Sequence, residues 1–392
     1  MDIEFLSAIV CKVSGFGGSN PLDPPLKDVD AFNHFFHDDI LDTDRLDKKD
    51  GCCTRRELIL RFLLLNAVLD QGPDIEGVRE MMVNIIDDLY SKEIRIFHKP
   101  LDFFKEIDIS VDDIIHHHDR IKGVRSKDWA DRNQSTPNKY NLYMDNCKQT
   151  LNYAIFRWGV PIAVPYLLSK DCGGEEKEAT CLGDYLSRFP SSEVMSENLK
   201  SHHRYGMGKA IGDKACHLFA KWVVSRFRLI EKDDDSGWGE YSYEVPFDSN
   251  AGRVLWRVGY FLELADESEY IKKDVIQREK GKEGTHYIRV TNIRKMIVGK
   301  ETPRHIVDLY NDICIGHLKK AKMRSQKIQI QRFQHPILMQ QNNKVSEFDD
   351  GLIAIGRNYC LNHGNPDCKN CPINDICRGY NSDPSLITNY RT

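Results

Sequence analysis

The sequence predicts a mainly α-helical protein, and three features of the chain lead to this expectation. Apolar residues recur at helical spacing over long stretches from residue 54 onward. Before residue 240, no run shows the alternation of apolar and polar residues that marks a half-buried strand. The length of 392 residues allows two domains, or one core with large insertions.

Composition places the chain among ordinary globular proteins, with 41% hydrophobic and 29% charged residues. The formal charge of −4 neither favours nor excludes nucleic acid, because the local field of one face matters more than the sum. The most apolar run, Leu58–Leu69, is too short for a bilayer and carries Arg61. The start, Met1–Glu4, lacks the features of a signal peptide. We expect an intracellular protein, cytoplasmic or nucleoid-associated (nuclear in a eukaryote), with no membrane partner.

The first clear helix follows Thr54, which has the spacing of a capping box with Glu57. The run after it is apolar almost all round, which predicts a buried helix. Residues 70–74 form a break, and Ile75–Tyr90 has the pattern of a second, amphipathic helix. Other expectations are a mixed segment at 1–50 with turns at 15–25, a polar loop at 125–139, a linker at 169–180, and hairpins near 237–245 and 280–290.

The cysteines are unevenly distributed. In a reducing compartment, twelve cysteines do not indicate six disulfides. Four of them crowd into eighteen residues with the spacing C-x7-C-x2-C-x5-C: Cys360, Cys368, Cys371 and Cys377. Four thiolates in so short a loop suit either tetrahedral zinc or a [4Fe–4S] cluster. Only one C-x2-C pair is present and the outer gaps are unequal, which favours the larger cluster over zinc or a chance spacing.

The segment Ile355–Cys360, followed by this spacing, resembles the C-terminal cluster loop of endonuclease III-type DNA glycosylases. The first gap is one residue longer than in the family. The resemblance implies a [4Fe–4S] cluster whose role is mainly structural, positioning the protein on DNA.

A second resemblance lies at residues 206–216, where Ile211, Gly212 and Lys214 match the family's helix–hairpin–helix. Glycine in such a turn exposes backbone N–H groups, and the next helix N-terminus favours a phosphate. Lys209-Ala210 and Cys216 depart from the family pattern. The resemblance implies that Lys214 attacks the sugar C1′ and forms a Schiff base. The alternative is an ordinary interhelical loop with a solvated lysine.

The segment 243–259 is similar to the family's aspartate motif, in which Asp248, Arg253, Val254, Arg257 and Gly259 match in register. The resemblance implies that Asp248 assists Lys214, by deprotonating the amine or by stabilising positive charge on the sugar. The alternative is a simple N-cap. The two residues are 34 positions apart (248 minus 214), which is longer than usual in the family, and the excess lies at 231–241.

A weaker match places Gln71 in the turn after the buried helix, where the family carries a glutamine that fills the hole left by a flipped-out nucleotide. The alternative is a glutamine in a surface turn. The adenine-excising branch has a glutamate about one turn earlier, whereas this chain has Asn66 and Ala67. This difference argues against adenine excision opposite oxidised guanine.

Together these matches imply a helix–hairpin–helix DNA glycosylase fold, with two helical domains flanking a DNA-binding cleft. A six-helix domain would span 51–230, with its hairpin near 197–224. A cluster domain would combine 1–50 with 249–392, including an insertion at about 267–346 and the loop 360–377. We assign DNA binding to Gln71, Ile211, Gly212, Arg253 and Arg257.

The implied function is base-excision repair by a monomeric enzyme with both glycosylase and AP lyase activity. Its partner would be double-stranded DNA that contains a damaged or modified base. Two alternatives stay open: a non-catalytic helix–hairpin–helix DNA-binding protein, and a zinc-stabilised interaction module.

Overall fold

The computed structural model describes most of the chain, and its secondary structure there is mainly helical, as predicted. The described ranges are 2–70, 75–107, 110–116, 154–171, 180–189, 192–202, 206–207, 213–230, 245–246, 249–260, 276–280, 286–290, 344–361 and 365–388. No helix within these ranges is long and apolar enough to cross a membrane.

The helices and strands follow one another in this order. The first part contains α1 (Ile3–Ser19), β1 (Phe36–His37), β2 (Ile40–Leu41), β3 (Lys49–Asp50), β4 (Cys53–Thr54), α2 (Arg55–Leu69), α3 (Ile75–Ser91), α4 (Pro100–Ile107) and α5 (Val111–His116). Next come α6 (Ala154–Asp171), α7 (Cys181–Ser187), α8 (Ser192–Ser201) and α9 (Asp213–Ala220), which continues as a π-helix over Lys221–Arg226. The last part contains α10 (Ser249–Val258), β5 (Ile276–Lys280), β6 (His286–Val290), α11 (Val345–Asn358), α12 (Arg378–Asn381) and α13 (Ser385–Thr388).

The chain divides into two compact units. Residues 23–232 form the helical unit, and residues 1–22 with 233–392 form the cysteine-loop unit. The predicted cluster domain contained all of residues 1–50, but only 1–22 lie in the cysteine-loop unit. Residues 23–50 belong to the helical unit because Leu26, Phe32 and Phe35 are buried in its hydrophobic core.

Helix α2 lies at the centre of the helical unit. The hydroxyl of Thr54 accepts a hydrogen bond from the Glu57 backbone N–H at 3.2 Å, so the predicted cap is confirmed. Every residue from Glu57 to Leu69 is buried, and α2 contacts α6, α7 and α9. The predicted buried helix is therefore confirmed, and so is the amphipathic second helix, which is α3.

Two local expectations differ from the structure. The predicted linker at 169–180 begins inside α6, which runs to Asp171 and contains Pro161 and Pro165. The predicted turns at 15–25 are partly helical, because α1 continues to Ser19. The expected loop at 125–139 lies outside the described residues, as does most of the expected hairpin at 237–245.

In the cysteine-loop unit, α1 packs against α11 at a crossing of two glycines. A Cβ atom on Gly17 would overlap the carbonyl oxygen of Glu347, and one on Gly351 would overlap that of Val13. Glycine is required here because the two helix backbones approach too closely for a side chain. Helix α1 is recognisable in the sequence, because its buried residues recur at helical spacing: Leu6, Ile9, Val10 and Val13.

The same unit contains the hairpin that the sequence predicts near residues 280–290. Strands β5 and β6 are antiparallel, and Ile276 pairs with Val290 while Lys280 pairs with His286. The hairpin begins earlier in the chain than predicted, because β5 starts at Ile276.

Candidate metal centre and candidate active site

The four clustered cysteines line one small cavity of the cysteine-loop unit. Cys360 follows Tyr359, the C-cap of α11, and Cys377 directly precedes α12. The remaining walls are mostly apolar and come from α10, α11 and the C-terminal helices, through Val254, Val258, Ile355, Tyr359, Ile373 and Ile387. The fold therefore brings all four predicted metal ligands to the same enclosed place.

The sequence leaves two metal groups open for this donor set. A single zinc ion would bind the four thiolates tetrahedrally, with Zn–S bonds of about 2.3 Å. A [4Fe–4S] cluster would bind each thiolate at a separate iron. Within the described ranges, no three His, Cys, Asp or Glu side chains are arranged to hold a metal ion. The four thiols around one cavity suit either group in the kind of ligand that they offer.

Two of these thiols are protonated at neutral pH when no metal is bound. Burial raises the pKa of Cys371 to about 12 and that of Cys377 to about 11, above the ordinary value of 9.0. The thiolate, not the thiol, is the metal ligand. Binding of a metal group would therefore release protons from these residues.

Arg257 connects helix α10 to both ends of the cysteine loop. Its Nη1 donates to the carbonyl oxygen of Leu361 at 2.9 Å and lies 3.4 Å from the Sγ of Cys360. Its own carbonyl oxygen accepts from the Sγ of Cys377 at 3.5 Å. One residue thus contacts the first and the last cysteine of the set.

Arg253 lies one turn earlier on α10 and holds the beginning of the loop. Its Nε donates to the carbonyl oxygen of Cys360 at 2.5 Å, and its Nη2 donates to that of Gly356 at 2.7 Å. Arg253 is 3% exposed and Arg257 is 2% exposed. Both were predicted to contact DNA, but their guanidinium groups are buried against the loop. We therefore reassign them to positioning the cysteines.

Two glycines allow close packing at the end of α10. Gly259 directly follows α10 and has φ +94°, a backbone conformation that L side chains rarely adopt. A Cβ on Gly379 would lie 2.6 Å from the carbonyl oxygen of Arg257, so α12 packs against the end of α10 only because residue 379 has no side chain.

In the helical unit, Lys214 lies in the first turn of α9 and is half-buried. Its Nζ donates to the carbonyl oxygen of Asp70 at 3.5 Å, although the two residues are 144 positions apart. Asp70 caps the end of α2, and the next residue is Gln71. The structure thus brings the predicted nucleophile to the end of the helix that precedes the predicted glutamine. Gln71, Ile211, Gly212 and Asp248 themselves lie outside the described residues.

Helices α8 and α9 flank the predicted hairpin and pack against each other. A Cβ atom on Gly206 would overlap the backbone of Lys200 and His202, so the chain turns back closely after α8. The motif was predicted to begin near residue 197, and α8 begins earlier, at Ser192.

The end of α2 carries a buried ion pair that was not predicted from the sequence. The Nη2 of Arg79 donates to the Oδ2 of Asp70 at 2.8 Å, and its Nη1 donates to the carbonyl oxygen of Asp23 at 2.7 Å. These bonds join α2, α3 and the first residue of the helical unit. The available signal was a polar residue, Asp70, at the end of an otherwise apolar run.

A second buried ion pair positions α7. Glu57 accepts from the Nε of Arg61 at 2.9 Å and from the backbone N–H groups of Leu182 and Gly183, each at 2.9 Å. The carboxylate therefore caps the start of α7 while it remains paired within α2.

Comparison of this chain with family models, curated proteins and solved structures finds no match.

Proposed function

We propose that the protein is a helix–hairpin–helix DNA glycosylase with AP lyase activity, which removes a damaged or modified base from double-stranded DNA. The proposal unites four sequence matches that occur in the expected order along the chain: the glutamine turn, the hairpin lysine, the aspartate and the cysteine loop. The contact of Lys214 with Asp70 is the observation that carries it.

This contact supports the proposal because it brings two of those matches together from distant parts of the chain. Lys214 lies at the start of a helix that packs on α2, and its amine meets the residue adjacent to Gln71. An amine held by packed helices is confined to one region, which lowers the entropic cost of attacking a bound sugar. A solvated surface lysine has no such constraint.

The proposed reaction uses the amine of Lys214 as a nucleophile. Nζ forms a bond to C1′ while the C1′–N glycosidic bond breaks and the base leaves with the bonding electrons. Asp248 accepts the proton that the amine loses, and opening of the sugar ring gives an iminium. Loss of a C2′ proton then expels the 3′-phosphate and nicks the strand. Water hydrolyses the iminium and restores the amine.

The cysteine loop would serve this reaction structurally. The four cysteines would hold a [4Fe–4S] cluster, which would link the end of α11 to the start of α12. Arg253 and Arg257 hold the loop on α10, and α10 begins at Ser249, directly after Asp248. The buried arginines thereby connect the metal centre to the helix that carries the proposed catalytic aspartate at its start.

The test is borohydride trapping, which reduces an iminium to a stable protein–DNA adduct. Duplexes with an abasic site or with one of several damaged bases are incubated with wild type, Lys214→Ala and Lys92→Ala. Lys92 is a matched control because it is a surface lysine of the same unit, paired with Asp88. We expect adducts with wild type and Lys92→Ala, and at least a tenfold loss with Lys214→Ala.

Other outcomes identify the alternatives. Equal trapping by wild type and Lys214→Ala would remove Lys214 from the nucleophile's role. Tight DNA binding without product on any duplex would indicate a non-catalytic DNA-binding protein. A colourless protein that contains zinc and binds no DNA would indicate the interaction module, since a [4Fe–4S] protein absorbs visible light.

A further inference from the structure

Two cysteines that are adjacent in the sequence, Cys52 and Cys53, lie at the turn between β3 and β4. Asp50 pairs with Cys53 across this hairpin, so Gly51 and Cys52 form its two-residue turn. Cys52 is exposed, Cys53 is buried, and neither is in a disulfide. Both belong to the helical unit, and the proposed function uses neither of them.

The two thiols face the same backbone atom. Successive side chains of a strand normally lie on opposite faces, but the turn changes the direction of Cys52, because Gly51 has φ +63°. The Sγ of Cys52 donates to the carbonyl oxygen of His98 at 3.0 Å, and the Sγ of Cys53 lies 4.0 Å from the same oxygen. The two sulfurs are 3.8 Å apart. The thiols therefore lie side by side.

The two thiols differ in access and in acidity. Cys52 is exposed, so a small molecule in solution can reach it. The adjacent Cys52 thiol and burial raise the pKa of Cys53 above its ordinary value of 9.0. The thiolate, not the thiol, is the nucleophile in disulfide exchange. Cys52 is therefore the residue that meets an oxidant first, and Cys53 is placed to react with it afterwards.

We infer that Cys52 and Cys53 are a site of reversible oxidation, at which a small-molecule disulfide converts them into a disulfide with each other. The inference is independent of the proposed function. The Cys52 thiolate attacks one sulfur of the small disulfide, and the other sulfur leaves as a thiolate that takes up the Cys52 proton. The Sγ of Cys53 then attacks the Sγ of Cys52 and releases the second small thiol, which takes up the Cys53 proton. The two cysteines lose two hydrogens, and the small disulfide gains them.

The bond between adjacent cysteines is strained and therefore easy to reduce. The Cα atoms of adjacent residues are about 3.8 Å apart across a trans peptide, whereas those of a disulfide usually lie about 4.4–6.8 Å apart. Strained disulfides have higher reduction potentials, and they are the labile and regulatory ones. Oxidation also removes the hydrogen that Cys52 donates to the carbonyl oxygen of His98. The pair suits a response to the ratio of small disulfide to small thiol better than it suits a permanent cross-link.

The experiment incubates the folded full chain with excess oxidised glutathione, blocks the remaining thiols with iodoacetamide and maps the tryptic fragments by mass spectrometry. Trypsin cleaves after lysine and arginine, so it releases Asp50–Arg55, which contains both cysteines and no other. The fragment Met1–Lys12 is an internal control, because its one cysteine, Cys11, is exposed and has no adjacent cysteine. The variants Cys52→Ser and Cys53→Ser receive the same treatment.

We expect more than half of the wild-type Asp50–Arg55 fragment to lack two hydrogens and to carry no alkyl group. Excess reduced glutathione should restore both thiols. Cys53→Ser should instead accumulate glutathione on Cys52, because no second thiol can release it, and Cys52→Ser should carry no glutathione on Cys53. Cys11 should carry glutathione or an alkyl group in every sample. If Cys53→Ser does not fold, as judged by its thermal melting curve, Cys53→Ala takes its place under the same criteria.

The inference is overturned if wild type keeps glutathione on Cys52 as stably as Cys53→Ser does, because the neighbouring thiol would then be unable to displace it. A link between Cys52 and a cysteine of another fragment would overturn it too. So would a wild-type Asp50–Arg55 fragment that carries two alkyl groups after the treatment. A bond that excess reduced glutathione does not open would contradict the reversibility.

Discussion

The Nη1 of Arg257 lies 3.4 Å from the Sγ of Cys360, and the carbonyl oxygen of the same arginine accepts from the Sγ of Cys377 at 3.5 Å. A buried guanidinium beside a thiolate ligand stabilises its negative charge. Through this arginine, the position of helix α10 affects the positions of the cysteine ligands.

Replacing Arg257 by leucine should lower the metal content of the protein. The change removes the cation beside Cys360 and leaves the Leu361 carbonyl oxygen without this donor. We expect less than half of the wild-type iron or zinc per chain, measured by elemental analysis, and weaker visible absorption if the metal is iron. Arg95→Leu, at an exposed site, should retain full metal content. Normal loading of Arg257→Leu would contradict the positioning role.

Replacing Glu57 by glutamine should strongly destabilise the helical unit. The change leaves the buried guanidinium of Arg61 without its counter-charge, which costs about 3–5 kcal/mol. The measurement is the free energy of unfolding from urea titration. Asp88→Asn is the control, because it breaks a surface pair with Lys92 that contributes about 1 kcal/mol or less. The double variant Glu57→Gln/Arg61→Met should recover part of the loss, and a loss no larger than that of the control would refute this account.

Replacing Gly351 by alanine should destabilise the crossing of α1 and α11. Alanine favours a helix over glycine by about 1 kcal/mol, but at residue 351 its methyl group would overlap the Val13 carbonyl oxygen. We expect a net loss of about 1–3 kcal/mol in unfolding free energy. Gly15→Ala, with nothing within 4 Å of the added Cβ, should be neutral or stabilising. Equal effects of the two substitutions would disprove the close approach.

His98 should make the helical unit less stable in mild acid. Burial lowers the pKa of His98 below its ordinary value of 6.5, against the opposing influence of Asp50. As pH falls below 6.5 the unfolded chain takes up a proton at this residue while the folded chain does not. Stability therefore falls with falling pH, by at most about 1.4 kcal/mol per pH unit for this group.

The measurement is urea unfolding between pH 7.5 and 5.0 for wild type and His98→Gln. The variant should have the shallower pH dependence. His37→Gln, at a largely exposed residue, should keep the wild-type slope. A slope for His98→Gln as steep as that of wild type would assign the acid sensitivity to other groups.

The features that the sequence alone determined are those that depend on neighbours in the chain. The cap at Thr54, the buried helix α2 and the hairpin of β5 and β6 all follow from local spacing. The closeness of the four cysteines belongs to the same class, because a loop of eighteen residues keeps its ligands near one another.

Tertiary packing decided which way side chains face and which distant segments meet. The spacing of Arg253 and Arg257 is equally compatible with a DNA surface and with a buried junction, and only packing of α10 on the cysteine loop turned them inward. Likewise, local patterns place Asp70 in the break after a buried helix and Lys214 in the predicted hairpin motif, but their contact across 144 residues depends on α9 packing against α2. Hydrogen-bonding partners far apart in sequence are chosen by packing, which local patterns do not encode.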